Sequence, residues 1–453
     1  MSCNDCNRTD LVRRAIAEAG RGLPELEPGM PLPAGTGMSR RSFLLGASGV
    51  ALSVFGGAAL SPRAIEEALA AAPAAQPVLL SVFLAGGVDT LSLLFPAGDP
   101  LYTKYRPSLK LDPTGATAFA PDPRLYWHPS AASLATLFGE GKVAALPAVG
   151  YDHPDQSHFT SRHYWEVGAT DPQLRTGWLG RWLDTVGSAD NPLQGLSLDT
   201  TLGPSLATAT MPVAALDSPT RYSFSDSRYG VFPLEVQMLE ALGALASPKT
   251  LSADPGLAQA ARAARQSQQI RAQLATFQQL GTKVPYPASN DPFPQRLAGL
   301  AAMLQAGLPV RVVSITAPGA YDTHAGQAQP LSTGLKLTMD SLLAFQRDLE
   351  QRGLADRVLV HVWSEFGRRA QENGSAGTDH GAAGAGFLIG TRVNGGMIGQ
   401  YPGLQSGLDQ QGNLVATADF RGLYAALIAQ WLGGDPAKVI PGASSFQQPT
   451  LLR

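Results

Sequence analysis

Four runs of apolar, strand-forming residues in this chain are continuous rather than alternating, and they constrain the fold more than any other feature. A strand that is buried on both faces has such a sequence, and such strands are typical of the centre of a parallel sheet. The four runs are residues 78–84, 143–149, 310–316 and 358–363, and residues 386–389 are predicted to form a shorter fifth strand. The runs therefore predict a large, well-covered central sheet.

Segments with apolar residues at three- and four-residue spacing separate these runs, and this spacing predicts amphipathic helices. They are residues 130–138, 256–280, 294–305, 331–351 and 420–432. Strands that alternate with helices predict an α/β fold with a mainly parallel central sheet and helices on both of its faces. Residues 196–250 have weak periodicity and are interpreted as loops. Neither a dinucleotide-binding glycine motif after a strand nor a Walker A loop is present.

The first 75 residues are interpreted as an export signal that precedes a single α/β domain at residues 76–453. Arg40 and Arg41 stand in the string SRRSFLL, and an uncharged, apolar stretch follows at residues 46–60. That stretch is too short to span a bilayer comfortably. Small residues at 72–75 are typical of a cleavage site, and the paired arginines resemble a twin-arginine (Tat) signal. The alternatives are a retained membrane anchor and a buried helix of the mature fold.

Cysteine usage and charge narrow the class of protein further. Cys3 and Cys6 are the two cysteines of the chain, and their C-x-x-C spacing alone indicates a zinc or redox site only weakly. The chain after residue 75 has no thiol, which suits an oxidising compartment, the periplasm or the cell exterior. Lys and Arg number 34 against 36 Asp and Glu, so the net charge of −2 excludes a strongly basic nucleic-acid-binding protein.

Polar side chains gather just after the predicted strands, at the edge where open α/β sheets bind ligands. They are Asp89 after the first strand, Asp152, His153, Ser157 and His158 after the second, Asp322 and His324 after the third, Glu365 and Arg368 after the fourth, and Asp379 and His380 beyond it. Imidazole beside carboxylate at this density indicates divalent metal, with zinc, manganese, magnesium or calcium as candidates. We therefore predict a site for one or two ions at this edge.

Ser157 is the predicted nucleophile, because the sequence around it is typical of a strand, a short turn, a serine and a helix. Amide groups at a helix N-terminus favour an anion, and a hydroxyl held on a metal ion is activated for attack. Ordinary interpretations stay open for several residues of the set. Asp89 could cap the Gly-Gly turn, His158 could be a plain helix residue, and Arg368 could simply pair with Glu372. His361 alternates within a strand and is predicted to pack inside the sheet.

Seven short motifs follow the Tat string in an order that resembles the DUF1501 family of exported bacterial proteins. They are GGVDTLSLLFP (86–96), AVGYDHPDQSHF (148–159), YWEVG (164–168), TGWLGRWLD (176–184), YDTH (321–324), SEFGRR (364–369) and GTDHG (377–381). The resemblance extends from about residue 78 to about residue 432. It implies the fold of the alkaline phosphatase/sulfatase-like superfamily, in which an Asp after the first strand binds metal and a hydroxyl or thiol at a helix start is the nucleophile.

The resemblance implies functional residues position by position. Ser157 would be the nucleophile, and the metal ligands would be Asp89, Asp322, His324, Glu365, Asp379 and His380. Two departures stand out. The usual Asp-His pair after a late strand is Glu365-Phe366 here, so one imidazole ligand is missing or replaced. Ser157 is not followed by the Pro and Arg that sulfatases need to mature a formylglycine, which disfavours a sulfatase.

The leading hypothesis is an exported, metal-dependent hydrolase of phosphate or related oxyanion esters, carried on a small molecule or a polymer. Ser157 or a water molecule would attack, and His158 or Arg368 would neutralise the developing charge. The Tat translocase would be a partner during export, and nucleic acid would not be a partner. The alternative hypothesis is a non-catalytic cell-envelope protein that keeps the fold and binds a partner or a polymer.

Overall fold

The structure is a computed structural model, and it describes residues 30–31, 34–35, 52–55, 76–188, 191–217 and 281–453. Arg40, Arg41, both cysteines and the helix predicted at residues 256–280 lie outside the described residues, so those interpretations stay predictions. Among the residues that are described, no helix is both long and apolar enough to cross a membrane.

A ten-stranded mixed sheet organises the described part of the chain. The strands are β1 (Leu52–Phe55), β2 (Val78–Phe83), β3 (Leu94–Phe95), β4 (Tyr126–Trp127), β5 (Val143–Gly150), β6 (Gly195–Ser197), β7 (Val213–Leu216), β8 (Val312–Thr316), β9 (Val358–Trp363), β10 (Gly384–Ile389), β11 (Gly396–Met397) and β12 (Ala418–Asp419). The order is β1-β7-β6-β8-β2-β9-β10-β5-β11, with β12 also beside β5, while β3 and β4 form a separate pair.

The direction of the strands confirms the prediction of a mainly parallel sheet. β2 runs parallel to both β8 and β9, and β6 runs parallel to both β7 and β8. β11 and β12 are parallel to β5 as well. Only β1 against β7, and β10 against β5 and β9, are antiparallel within this sheet. Carboxyl ends of β2, β8 and β9 therefore meet at one edge.

Helices cover both faces of the sheet, as the sequence predicts. They are α1 (Thr90–Leu93), α2 (Tyr102–Tyr105), α3 (Ala132–Gly139), α4 (His158–Val167), α5 (Trp178–Val186), α6 (Phe293–Gln305), α7 (Ala328–Gln351) and α8 (Phe420–Leu427). Successive side chains of a strand point to opposite faces. Accordingly Val78, Leu80 and Val82 of β2 lie in one core with α6 and α7, whereas Leu79 and Phe83 lie in a second core with α5 and α8.

The interpretation of residues 196–250 as loops is wrong at two short strands and correct for most of the other residues that the structure describes there, residues 198–212. β6 and β7 fall there, and their short lengths of three and four residues are below what hydrophobic periodicity detects. The neighbours of each strand in the sheet supply the pairing that the local sequence does not specify. The five strands that were predicted are all present, with ends shifted by two residues at most.

His361 lies in β9 and faces the second core, where Tyr424 packs against its ring at 5.5 Å between centroids. The ring is fully buried, and neither nitrogen has a hydrogen-bond partner among the described residues. This arrangement confirms that His361 packs inside the sheet. Burial lowers the pKa of His361 to about 3, because the charged ring would lose its hydration there.

Acid should therefore destabilise the protein partly through His361. The ring titrates near pH 6.5 in the unfolded chain and near pH 3 in the folded protein. The stability that depends on the uncharged ring is therefore fully present above about pH 6.5. This stability is lost as the pH falls, by up to about 5 kcal/mol once the pH is below both pKa values. Denaturant titrations with chelator at pH 7, 5 and 4 should show a flatter pH dependence for His361→Phe than for wild type. The control is His153→Asn, because His153 is exposed. If the free energy of unfolding depends equally on pH in all three proteins, His361 does not cause the acid destabilisation.

Candidate metal centre

Loops at the ends of four strands bring the polar residues of the sequence motifs together. The segment after β5 ends at Ser157, which caps α4 by accepting hydrogen bonds from the amides of Phe159 and Thr160. The strand, turn, serine and helix predicted around Ser157 are thus present. Asp322 and His324 follow β8, while the 377–381 loop precedes β10.

Three histidine side chains surround the carboxylate of Asp322, and we call the four residues the central cluster: His158, Asp322, His324 and His380. The Oδ1 atom of Asp322 lies 2.9 Å from Nε2 of His324, 3.3 Å from Nε2 of His380 and 3.5 Å from Nε2 of His158. The Nε2 atoms of His324 and His380 are themselves 2.9 Å apart. Two ring nitrogens at that distance need a proton or a metal ion between them.

The opposite nitrogen of each ring meets an acceptor outside the cluster. Nδ1 of His158 lies 2.8 Å from Glu365, Nδ1 of His324 lies 3.4 Å from Asp379, and Nδ1 of His380 lies 2.8 Å from the carbonyl of Gln156. Carboxylate and carbonyl oxygens only accept, so each Nδ1 carries the hydrogen and donates it. In the neutral rings this leaves the lone pair on Nε2, pointing inward. Metal-binding histidines have this outer hydrogen bond almost always.

His158, Asp322 and His380 could supply three ligands of a tetrahedral metal ion. Zinc bonds of 2.0–2.1 Å at tetrahedral angles place neighbouring ligand atoms about 3.3 Å apart, close to the separations observed around Asp322. His158, Asp322 and His380 offer ligand atoms that all lie within 4.8 Å of one another. In addition, Nε2 of His158 is buried without a hydrogen-bond partner among the described residues. Three imidazoles with one carboxylate suit zinc best among the predicted metals.

Protonation and metal binding compete at His158. Burial would lower the pKa of His158, but the facing carboxylates of Asp322 and Glu365 outweigh it and raise the pKa to about 9. Burial opposes the ionised form of Asp322 too, yet the three histidines and Arg368 hold its pKa far below the usual range. Burial lowers the pKa of His380. An ion that binds His158 must displace its proton, so affinity for metal increases with pH.

Arg368 places a fixed positive charge against the central cluster. Its buried guanidinium donates to Oδ1 of Asp322 at 2.5 Å, to the carbonyl of Gly87 at 2.8 Å and to the carbonyl of Thr378 at 2.8 Å. It also donates to the carbonyl of Gly86. The interpretation of Arg368 as a partner of Glu372 is therefore wrong, since Glu372 instead accepts from the amides of Ser108 and Leu109.

Two glycines allow the loops to approach this closely. Gly86 has φ +117°, and a Cβ atom there would lie 2.4 Å from the amide nitrogen of Asp322. A Cβ atom on Gly377 would lie 2.2 Å from the carbonyl carbon of His324. Any larger residue at either position would push a member of the central cluster away, because no other residue leaves that space open.

Asp89, predicted as a metal ligand, has a structural role instead. Its buried carboxylate pairs with Arg106, with 2.5 Å and 2.9 Å between the oxygens and the guanidinium nitrogens. Gln327 and Ser92 donate to the same carboxylate at 2.5 Å and 2.7 Å. Burial raises the pKa of Asp89, but Arg106 and these donors lower it overall. The sequence motif did not reveal Arg106, because the arginine lies in a separate loop.

Glu365 and Asp379, also predicted as ligands, lie one layer outside the central cluster. Glu365 accepts the hydrogen of His158 and the amide hydrogens of Gly86 and Gly87 at 3.0–3.1 Å. Burial opposes its ionisation, but His158 lowers the pKa of Glu365 to about 2. The side chain of Asp379 is 51 % exposed, and its carboxylate lies 3.4 Å from Nδ1 of His324. His158, predicted to neutralise charge, instead lies within the central cluster, with Nε2 3.5 Å from Oδ1 of Asp322.

Replacement of Glu365 by glutamine should weaken zinc binding by about 10- to 100-fold. The amide retains an oxygen for His158 but loses the charge that orients the ring and makes it basic. A competition titration with a chromogenic chelator measures this affinity. Glu372→Gln is the matched control, since that carboxylate lies outside the cluster, and it should bind zinc as wild type does. If the two variants bind zinc with equal affinity, Glu365 does not contribute to zinc binding.

Comparison with known proteins adds a family and several structures of related fold. The model of DUF1501, described as a protein of unknown function, matches residues 128–421. No curated protein matches the chain. Solved structures that match include the periplasmic domain of EcEptC from Escherichia coli in complex with zinc, at 9 % identity and TM-score 0.36, over 81 % of this chain and 87 % of that chain.

Two further structures are similar at the same low level. The PsFucS1 sulfatase from Pseudoalteromonas sp. is 12 % identical with TM-score 0.33, over 83 % of this chain and 72 % of that chain. A protein in the alkaline phosphatase superfamily from Vibrio parahaemolyticus is 11 % identical with TM-score 0.34, over 99 % of this chain and 80 % of that chain. None of these TM-scores exceeds 0.36, so these similarities carry no conclusion about the activity of this chain.

Proposed function

The chain belongs to the DUF1501 family, and we propose that it is an exported, metal-dependent hydrolase of phosphate or related oxyanion esters. One observation carries this proposal. Three histidine Nε2 atoms lie within 3.5 Å of one carboxylate oxygen, and an outer acceptor meets the other nitrogen of each ring. A structural role alone does not require three imidazoles to share one carboxylate oxygen.

A single divalent ion, zinc by preference, would be held by His158, Asp322, His324 and His380. When bound, it would supply a Lewis acid that withdraws charge from an ester oxygen. The charge of the site supports one ion rather than two. Arg368 is already a permanent cation within 2.5 Å of Asp322, so a second dication beside it would meet strong repulsion.

Ser157 and the first turn of α4 would bind the oxyanion of the substrate. The residue stands at the N-cap of a ten-residue helix, where backbone N–H groups and the helix dipole favour negative charge. We propose the Ser157 hydroxyl as the nucleophile, with a water molecule as the alternative. Arg368 would hold its charge in place during the reaction, because backbone carbonyls fix its guanidinium from several sides.

Export through the Tat pathway is the second part of this proposal. It is supported by the Arg40–Arg41 string with its apolar stretch, and by a chain without cysteine after residue 75. The Tat translocase would then be a transient partner, and the periplasm or the exterior the place of action. Mass spectrometry of the protein from its host should find an N-terminus near residue 75, whereas an intact Met1 in the exported protein would contradict cleavage.

Turnover of simple esters tests the reaction. Protein purified without chelator and then loaded with zinc, manganese, magnesium or calcium should hydrolyse p-nitrophenyl phosphate, or p-nitrophenyl sulfate at a lower rate. Ser157→Ala should lose at least about 100-fold in kcat if the hydroxyl attacks. Retained activity in that variant would make water the nucleophile. Full metal loading without turnover of any ester would instead favour the non-catalytic binding protein.

A further inference from the structure

A segment of the proposed export signal forms an edge strand of the central sheet. We call residues 1–75 the leader, and its apolar stretch at residues 46–60 contains β1. β1 pairs with β7 over its whole length, antiparallel, with Leu52 opposite Leu216 and Phe55 opposite Val213. β7 pairs with β6 on its other side. The apolar stretch that follows the paired arginines therefore contributes a strand to the folded domain.

A second segment of the leader, before the paired arginines, also contacts the domain. Ala34 is 4 % exposed, and it packs with Val167 and Ala207 in a small apolar cluster. The amide of Gly35 donates to the carbonyl of Arg175 at 3.0 Å. Residues on both sides of the SRRSFLL string in the sequence are thus bound to the folded domain.

The outer edge of β7 has the properties of a strand-binding site. All four residues of β7 are buried, at 3 % exposure or less. The edge of a sheet presents a row of N–H and C=O groups, and it binds an extended segment that completes the ladder. β1 occupies this edge through four residue pairs. The edge therefore suits an extended segment that aligns antiparallel to β7, and the leader supplies one.

We propose that the folded domain masks its own export leader by holding β1 on the edge of β7. This inference rests on the export part of the proposed function. A segment that enters a membrane satisfies its backbone groups as a helix, whereas β1 is extended and paired with β7. The two states exclude each other, so the translocase engages the apolar stretch only after β1 leaves the sheet. Cleavage near residue 75 would remove β1, and the contact therefore belongs to the precursor.

Hydrogen exchange, measured by mass spectrometry on the full-length precursor, tests the contact. Ser53→Pro with Val54→Pro removes two adjacent N–H groups of β1, and one of them faces β7 because the groups alternate along an antiparallel strand. Amides of residues 213–216 should then exchange at least about tenfold faster than in wild type. Ala58→Pro with Ala59→Pro is the matched control, since it adds two prolines to the same apolar stretch outside β1. That control should exchange as wild type does.

Binding to membrane vesicles that contain the Tat translocase tests the masking. The double variant in β1 should bind these vesicles at least about tenfold more tightly than the matched control, because the apparent affinity is proportional to the fraction of molecules with a released leader. Vesicles without the translocase measure the background. Equal vesicle binding by the two double variants, or equal exchange at residues 213–216, would overturn the proposal.

A synthetic peptide of residues 36–60 distinguishes this failure from a failure of the export proposal. The peptide has no domain to mask it, so it should bind the same vesicles at least as tightly as the double variant in β1. If the peptide does not bind, residues 36–60 are not a Tat signal and both proposals fail. If the peptide binds while the two double variants bind equally, masking alone fails.

Discussion

Replacing His380 by alanine is expected to weaken zinc binding by at least about 100-fold and to remove ester turnover with it. The change deletes one of the three imidazoles that meet at Asp322, and loss of a direct ligand should exceed the 10- to 100-fold effect typical of an outer partner. His380 also lies 2.9 Å from His324, so the variant removes the pair of nitrogens that most need a cation between them. Zinc titration by isothermal calorimetry measures the affinity.

His153→Ala is the control for this variant. His153 lies in the same motif, five residues before His158, but it is exposed and outside the central cluster. Zinc should bind that variant as tightly as wild type and with the same stoichiometry. Similar losses in both variants would mean that histidine content, and not the geometry around Asp322, determines metal binding.

Replacing Arg106 by methionine should lower the free energy of unfolding by about 3–5 kcal/mol. The arginine and Asp89 are both almost completely buried, so the variant leaves a carboxylate in the interior without its counter-ion. Gln327 and Ser92 still donate to that carboxylate but do not neutralise it. Denaturant-induced unfolding, followed by tryptophan fluorescence with chelator present, measures the change.

Lys336→Met provides the comparison for that loss. Lys336 pairs with Asp340 at 2.8 Å on the surface of α7, with the lysine side chain 70 % exposed. Exposed pairs of this kind contribute less than about 1 kcal/mol. A loss in Arg106→Met no larger than in Lys336→Met would show that the Asp89–Arg106 pair does not stabilise the fold.

Two asparagine variants distinguish the structural role of Asp89 in this ion pair from the ligand role that the sequence predicts. Asp89→Asn should lower stability, yet the folded protein should bind zinc as wild type does. Asp322→Asn should bind zinc far more weakly. These expectations follow because Asp322 Oδ1 lies among the three Nε2 atoms, whereas Asp89 faces Arg106.

Much of the fold follows from local sequence because burial on both faces leaves a continuous apolar run. β2 and β9 are such runs, and both were predicted to within a residue of their ends. β6 and β7 were not, since three or four residues carry no period and their pairing depends on distant strands. The location of the site followed from the same logic, because parallel strands end at one edge of a sheet.

The division of roles within the site could not be predicted, because it depends on loop geometry over a few ångströms. Sequence spacing does not tell whether Glu365 or His158 reaches Asp322. The turn at Gly86 and Gly87 decides it, since their amides hold the carboxylate of Glu365 one layer out. The departure at Phe366 was the available signal, because it indicated an imidazole that is missing or replaced.

Anomalous diffraction from crystals of the zinc-loaded protein tests the central claim most directly. We expect one zinc peak per chain, bonded to Nε2 of His158, His324 and His380 and to a carboxylate oxygen of Asp322, at about 2.0–2.2 Å. Glu365 should remain hydrogen-bonded to His158, and Asp89 should remain paired with Arg106. A fully loaded crystal with its zinc peak on other residues, or with no peak among these four side chains, would contradict the account.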